Sequence, residues 1–149
     1  MRVIAAIAVL LLAAIVIYYL YDTFRERTQT EKLAEIIHLE DKRSLSGRLK
    51  KYLKDEDPVI RARAALAVGR IGGPGSGELL YRMISDGSFD VAATAAFALG
   101  LTGDRHYATK LLDVAYDLPS AVGTKAVAAT GYLADSSMAE VADRLVEYL

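Results

Sequence analysis

Three glycines recur at a constant interval, each inside an alanine-rich segment: Gly69, Gly100 and Gly131. The segments PVIRARAALAVGRIGG from Pro58, FDVAATAAFALGLTGD from Phe89 and SAVGTKAVAATGYLAD from Ser120 align over this interval. Their apolar columns agree: Ile60, Val91 and Val122; Ala64, Ala95 and Ala126; Ala67, Ala98 and Ala129. Self-similarity at such a period is the signature of stacked helical repeats, so we predict an all-α chain folded as a short, right-handed α-solenoid.

The glycine column itself makes a structural prediction. A glycine inside a helix costs about 1 kcal/mol relative to alanine, so three in register indicate a packing requirement. We expect each glycine to admit the backbone of the neighbouring repeat near the end of its helix.

Start and stop signals divide this solenoid into helix pairs. We expect repeats over about 43–73, 74–104 and 105–135, and a partial repeat over 136–149, within a repeat domain of residues 43–149. Asp57 precedes Pro58 as an N-cap precedes the first helical position, and Ser88 takes the same place one repeat later. The glycine-rich run 72–77 predicts a break between repeats.

Residues 23–42 are predicted to form a helical linker and N-terminal cap. Leu33, Ile36 and Ile37 have helical spacing, and the helix either continues from the N-terminus or begins between Thr28 and Thr30. Counting one period back from Gly69 reaches His38, so this helix takes the place of a repeat's second helix, where a solenoid needs a cap.

The N-terminal residues 1–22 are predicted to anchor the chain in a membrane. Val3 to Tyr21 contains no charged residue, and as a helix it would be about 28 Å long, close to the thickness of a bilayer core. A cleaved secretory signal is the alternative, although cleavage after Ala14 would leave the apolar run IVIYYLY at the new terminus. Basic residues are nearly balanced across the span, and the short basic start favours an extracytoplasmic repeat domain.

The second helices resemble HEAT repeats, particularly the bacterial HEAT-like kind also found in phycobilin lyases. The segment DEDPVIRARAALAVGRIG, residues 55–72, carries the resemblance; Ala92 replaces the arginine at Arg61 in the second repeat. The resemblance implies that the first helices form a convex face and the second helices a concave one. The N-terminal half is also similar to bacterial envelope proteins that join HEAT repeats to other domains, some with a cyclophilin-type isomerase. Two alternative interpretations follow: the non-catalytic N-terminal part of a larger envelope enzyme, or a bilin-lyase-like enzyme.

Little in the sequence indicates chemistry. There is no cysteine, and His38 and His106 are the only histidines. With 18 basic and 19 acidic residues, the chain lacks the charge excess typical of nucleic-acid binding. Asp55, Asp86 and Asp117 recur at successive corners, where carboxylates favour the start of a helix. We therefore expect a non-enzymatic protein without catalytic residues, cofactor or metal.

A binding surface is predicted instead on the side of the second helices that faces away from the buried stripe. An apolar patch with a polar border is typical of a protein-binding site. The predicted function is a membrane-anchored scaffold or adaptor that binds a membrane-proximal protein or peptide. The alternative is that this patch packs inside the protein. The predicted partner-binding residues are Arg63, Leu66, Arg70, Phe97, Leu101, Lys125 and Tyr132.

Overall fold

A computed structural model describes residues 2–24, 27–115 and 117–134, together with positions 139, 141, 143 and 146. In the first helix, side chains are described only at positions 7 and 9–21. The side chain of residue 121 is not described. All regular elements in these ranges are α-helices. They are α1 (Arg2–Phe24), α2 (Gln29–Asp41), α3 (Gly47–Tyr52), α4 (Pro58–Ile71), α5 (Ser76–Met83), α6 (Phe89–Leu101), α7 (His106–Ala115) and α8 (Ser120–Leu133).

The helices that follow α1 form two layers. In one layer, α2 packs on α4, α4 on α6 and α6 on α8. In the other, α3, α5 and α7 pack beside these helices. This alternation confirms the predicted helical solenoid, and the core lies between the layers. Every residue of the three predicted apolar columns is buried.

The glycine prediction holds at two of its three positions. A Cβ built on Gly69 would lie 2.5 Å from the carbonyl oxygen of Ala98, and one on Gly100 would lie 3.0 Å from the Cα of Ala129. Both glycines therefore allow the next helix of the same layer to approach closely. Around Gly131, by contrast, no atom described by the structure lies within 4 Å of the Cβ position.

The helices α2, α4 and α6 begin with different capping interactions. Thr28 opens α2 with a capping box, since its side chain accepts from the N–H of Glu31 and the Glu31 carboxylate accepts from the N–H of Thr28. Asp57 caps α4 by accepting from the N–H of Val59 at 2.8 Å. Ser88 occupies the N-cap position of α6, as predicted, but its side chain makes no capping hydrogen bond.

Two aspartates, each two residues before an N-cap, accept hydrogen bonds from the backbone N–H of that N-cap residue. Asp55 Oδ1 accepts from the N–H of Asp57 at 3.1 Å, and Asp86 Oδ1 accepts from the N–H of Ser88 at 2.8 Å. The N–H of Ser88 is thereby satisfied before the helix begins. The predicted role of the acidic column is confirmed at these two corners.

The cap helix lies in a different register from that predicted. The N-cap positions of the layer are Thr28, Asp57, Ser88 and Pro119. The step from Thr28 to Asp57 is two residues shorter than each of the two steps that follow, so the position equivalent to Gly69 is Glu40 and not His38. We call this alignment of Thr28 with Asp57 the cap register. The place of α2 as a second helix is nevertheless confirmed, since α2 packs on α4 as α4 packs on α6.

Two predicted boundaries change. The break between the first two repeats covers 72–75, because Ser76 and Gly77 already belong to α5; the Ser76 hydroxyl donates to the carbonyl of Gly73 at 2.7 Å. The first helix of repeat one, α3, begins at Gly47, four residues after the predicted start of that repeat at 43. The partial repeat predicted from Ser136 falls mostly outside the described residues; Val141, which is described, is helical and buried.

Among the residues with described positions, no helix is both long and apolar enough to cross a membrane.

Candidate partner-binding surface

The outward side of the layer α2, α4, α6 and α8 carries large apolar side chains at equivalent positions. Leu66 on α4 corresponds to Phe97 on α6, one repeat later, and Leu101 on α6 corresponds to Tyr132 on α8. Leu66 is half-buried, whereas Phe97, Leu101 and Tyr132 are 37%, 42% and 69% exposed. Their helical phase places these positions on the side away from the buried stripe.

Ile37 extends this row onto the cap helix. In the cap register Ile37 is the equivalent of Leu66, and it is 47% exposed. Counting by the period of the glycine column pairs Ile37 instead with Val68, which is buried. The period alone therefore does not predict that Ile37 is exposed. The capping-box sequence from Thr28 to Glu31 is the signal that could have found it, because it fixes where α2 begins. We call Ile37, Leu66, Phe97, Leu101 and Tyr132 the inner apolar row.

The predicted arginine border is bound within the protein. Arg70 Nη1 donates to Glu40 Oε1 at 3.0 Å, and Arg63 Nη2 lies 2.5 Å from Glu40 Oε2. This second contact is an ion pair and not a hydrogen bond, because Glu40 Oε2 has no hydrogen-bond partner among the described residues. Arg63 Nη1 is likewise buried without a hydrogen-bond partner among those residues. Sequence reasoning missed Glu40 because both arginines lie on another helix, far from it along the chain.

The pairing of one carboxylate with two arginines leaves this cluster with one net positive charge. Burial acts to raise the pKa of Glu40, but the hydrogen bond from Arg70 and the close positive charges of Arg63 and Arg70 outweigh it, so the pKa lies below its usual value. Glu40 is therefore ionised at neutral pH and offsets one of the two arginines. Lys125, the third predicted basic residue, is exposed on α8.

Ion pairs at the corners hold the helices that carry the inner apolar row. Lys32 Nζ donates to both oxygens of Asp55, at 2.8 and 3.0 Å. Arg61 donates to both oxygens of Asp86, at 2.9 Å each. Lys32 is the equivalent of Arg61 in the cap register, so the same link is used at two successive junctions.

The pKa values of both corner carboxyls are lowered. The hydrogen bond from Arg61 is the largest influence on Asp86 and lowers its pKa. At Asp55 burial acts to raise the pKa, but the hydrogen bonds from Lys32 and the N–H of Asp57 outweigh it. Both carboxyls are therefore ionised at neutral pH, as the corner links require.

A further cluster fixes α2 against α3. Glu35 accepts from Tyr52 Oη at 2.5 Å and from Arg48 Nη1 at 2.7 Å, and it also pairs with Arg27. Burial acts to raise the pKa of Glu35, but these hydrogen bonds and charges hold it below its usual value. The cap therefore contacts both layers of the first repeat.

The two histidines do not form a site. His38 and His106 are both exposed, one on the cap helix and the other at the start of α7, where its ring packs edge-on against Tyr107. In the part of the chain that the structure describes, no three His, Cys, Asp or Glu side chains come together as metal ligands would. The described surface therefore offers apolar contact area beside a cluster in which Glu40 offsets one of two arginine charges.

Comparison with protein families agrees with this architecture. The family model described as HEAT repeats matches residues 26–100 and again residues 45–131, which together cover more than two thirds of the chain. The match does not separate the bilin-lyase type from other repeats of this description, so that finer resemblance stays a prediction. A search of curated proteins finds no significant match.

Proposed function

Because this chain belongs to the HEAT-repeat family, we propose that it is a non-enzymatic scaffold or adaptor that binds a protein or peptide partner on the inner apolar row. Repeats of this kind commonly serve as interaction scaffolds. The observation that carries the proposal is the exposure of Phe97, Leu101 and Tyr132 on two adjacent helices. Exposed apolar area bordered by polar groups is typical of protein-binding sites.

The composition of the surface defines the class of partner. Aromatic side chains are prominent among the residues that dominate binding at protein interfaces, and the row presents Phe97 and Tyr132. Glu40 offsets one of the two positive charges of Arg63 and Arg70, so a single net positive charge remains at this end of the row. We therefore expect a partner that inserts apolar side chains rather than a highly charged one.

Site-specific photocrosslinking tests this proposal. A photoreactive phenylalanine analogue replaces Phe97 in the full chain, and adducts formed in native membranes are identified by mass spectrometry. Phe89 provides the matched control, because it is an exposed phenylalanine on the same helix but outside the row. We expect one dominant protein adduct from Phe97 that the additional change Leu101→Asp abolishes. Equal capture from both positions, or no protein adduct at Phe97, would refute the proposal.

We further propose that α1 anchors the protein in a membrane and that the repeat domain lies on the extracytoplasmic side. Large apolar side chains are exposed around α1, and a helix that is apolar on all sides needs an apolar environment. They are Ile7, Val9, Leu10, Leu11, Leu12, Ile15, Val16, Ile17 and Leu20, followed by Tyr18, Tyr19 and Tyr21. The proposed anchor is supported by these exposed side chains and by the absence of charged residues from Val3 to Tyr21. It is not supported by a membrane-spanning helix identified among the described residues.

Extraction with alkaline carbonate tests the anchor. We expect the full chain to stay with the membrane pellet and the variant Leu11→Arg/Ile15→Arg to be released. Release of the unaltered chain would contradict the anchor without affecting the inner apolar row. Digestion by protease added outside intact cells then reports the side of the repeat domain.

A further inference from the structure

A recess lies in the layer opposite the inner apolar row, between α3 and α5. It has a volume of about 480 Å³, within the range of sites that hold small ligands or a few side chains. Leu53, Leu79 and Met83 supply its apolar lining. Leu53 and Met83 are nearly buried and Leu79 is half-buried, so the recess has an apolar floor that belongs to the core. We call it the outer groove.

Basic side chains surround this floor. Lys50, Lys51 and Lys54 from α3 and the turn after it, and Arg82 from α5, line the outer groove. The three lysines and Arg82 are all exposed. Arg82 pairs with Glu78 at 2.7 Å, whereas within the described residues the three lysines have no ion-pair partner. Their ammonium groups are thus available to an anion that approaches the groove.

The acidic residue of the groove does not offset these lysines. Asp86 also lines the recess, but both of its carboxylate oxygens accept hydrogen bonds from Arg61. The lysines therefore determine the sign of the local potential.

This local charge contrasts with the rest of the chain. Residues 42–54 contain six basic residues and no acidic one, while the whole chain has a net charge of −1. The remaining residues therefore carry a net charge of −7, and the positive charge is concentrated around α3. A surface of this kind attracts negatively charged partners.

We infer that the outer groove binds an acidic peptide segment of a partner protein, with a large apolar side chain of that segment inserted against Leu53, Leu79 and Met83. We expect the bound segment to be acidic because the lysines that line the groove are positively charged. The recessed apolar floor favours a peptide over an anionic membrane surface, because contact with lipid headgroups needs positive charge but no recess. This second surface would let the protein hold two partners at once, one in each layer.

Binding of a synthetic probe to the full chain in zwitterionic detergent tests the inference. The probe is a fluorescein-labelled peptide in which glutamate alternates with leucine and phenylalanine, and fluorescence anisotropy gives its Kd. We expect binding that weakens with added salt. Lys50→Glu should raise Kd about three- to tenfold, since it replaces an attraction by a repulsion. Leu79→Ala should raise Kd to a similar extent without changing the salt dependence.

The matched control is Lys42→Glu, an equal charge change in the same basic segment but outside the groove. It should change Kd by less than about twofold, as expected for an exposed charge beyond direct contact. An equal loss with Lys42→Glu, or no binding by the unaltered chain, would overturn the inference. Displacement of the peptide by a soluble short-chain anionic phospholipid, with the same sensitivity to Lys50→Glu, would assign the groove to lipid instead. Thermal unfolding of each variant verifies that it is folded.

Discussion

Arg61 on α4 donates two hydrogen bonds to the carboxylate of Asp86, which lies at the corner leading into α6. The same guanidinium also donates through Nη1 to the carbonyls of Asp55 and Glu56, at 2.8 and 2.9 Å. One side chain therefore joins the corner before its own helix to the corner before the next helix of the layer.

Asp86→Asn should destabilise the fold by about 1.5–3 kcal/mol, the usual contribution of hydrogen bonds to a charged group. Asparagine can still accept from the N–H of Ser88, so the corner is retained and the loss reports on Arg61. Urea unfolding followed by circular dichroism measures it. Glu56→Gln is the control, because the Glu56 side chain is exposed and only its carbonyl contacts Arg61; equal losses in both variants would contradict the account.

The stabilisation by Asp86 should disappear in acid. Its pKa is lower in the folded protein than in the unfolded chain, chiefly because of the hydrogen bond from Arg61. The contribution is then complete above the unfolded pKa and is lost as pH falls through the lowered folded value. We expect the difference in unfolding free energy between the protein and Asp86→Asn to be constant from about pH 7 to 5 and to shrink below about pH 4. A difference that stays constant down to about pH 2 would rule out the carboxylate as its source.

Substitutions in the glycine column should have opposite effects along the stack. Gly69→Ala should cost about 1–3 kcal/mol or more, because its Cβ would overlap the backbone of α6. Gly131→Ala should instead stabilise by up to about 1 kcal/mol, because alanine favours the helix and its Cβ meets no described atom. Chemical denaturation of the two variants provides the comparison, and destabilisation of similar size at both positions would disprove it.

The N-cap positions offer another matched pair. Thr28→Ala should cost about 1 kcal/mol, since it removes the capping box of α2. Ser88→Ala should change the unfolding free energy by less than about 0.5 kcal/mol, because the Ser88 side chain makes no capping hydrogen bond. Hydrogen exchange of the first turns of α2 and α6 locates each effect. Faster exchange at α6 in Ser88→Ala would show that the serine does cap its helix.

The local features of the fold could be predicted from the sequence. Asp57 and Pro58 indicated the start of α4 correctly because an N-cap and a proline at the first helical position act within a few residues. The repeat period identified the buried columns, since equivalent positions in stacked helices have equivalent neighbours.

Features that depend on distant residues could not be predicted in the same way. The link from Glu40 to Arg63 and Arg70 joins two helices, and no local pattern marks it. The cap helix departs from the repeat period by two residues. For this reason His38, and not Glu40, was predicted as the equivalent of Gly69, and Ile37 was not predicted as part of the exposed surface. Of the predicted site, the side chains on α6 and α8 are exposed, while the two arginines on α4 pair with Glu40, although Arg70 is itself exposed.

The links at Lys32 and Arg61 also determine how the stack responds to force. Charged side chains bridge the junctions of α2 with the first corner and of α4 with the second, whereas the equivalent of Arg61 at the third junction is Ala92, which cannot form such a bridge. The three junctions therefore resist bending by different means: the first two through charged bridges, and the third through the close approach of Ala129 to Gly100. High salt should therefore loosen the N-terminal half of the stack more than the contact between α6 and α8.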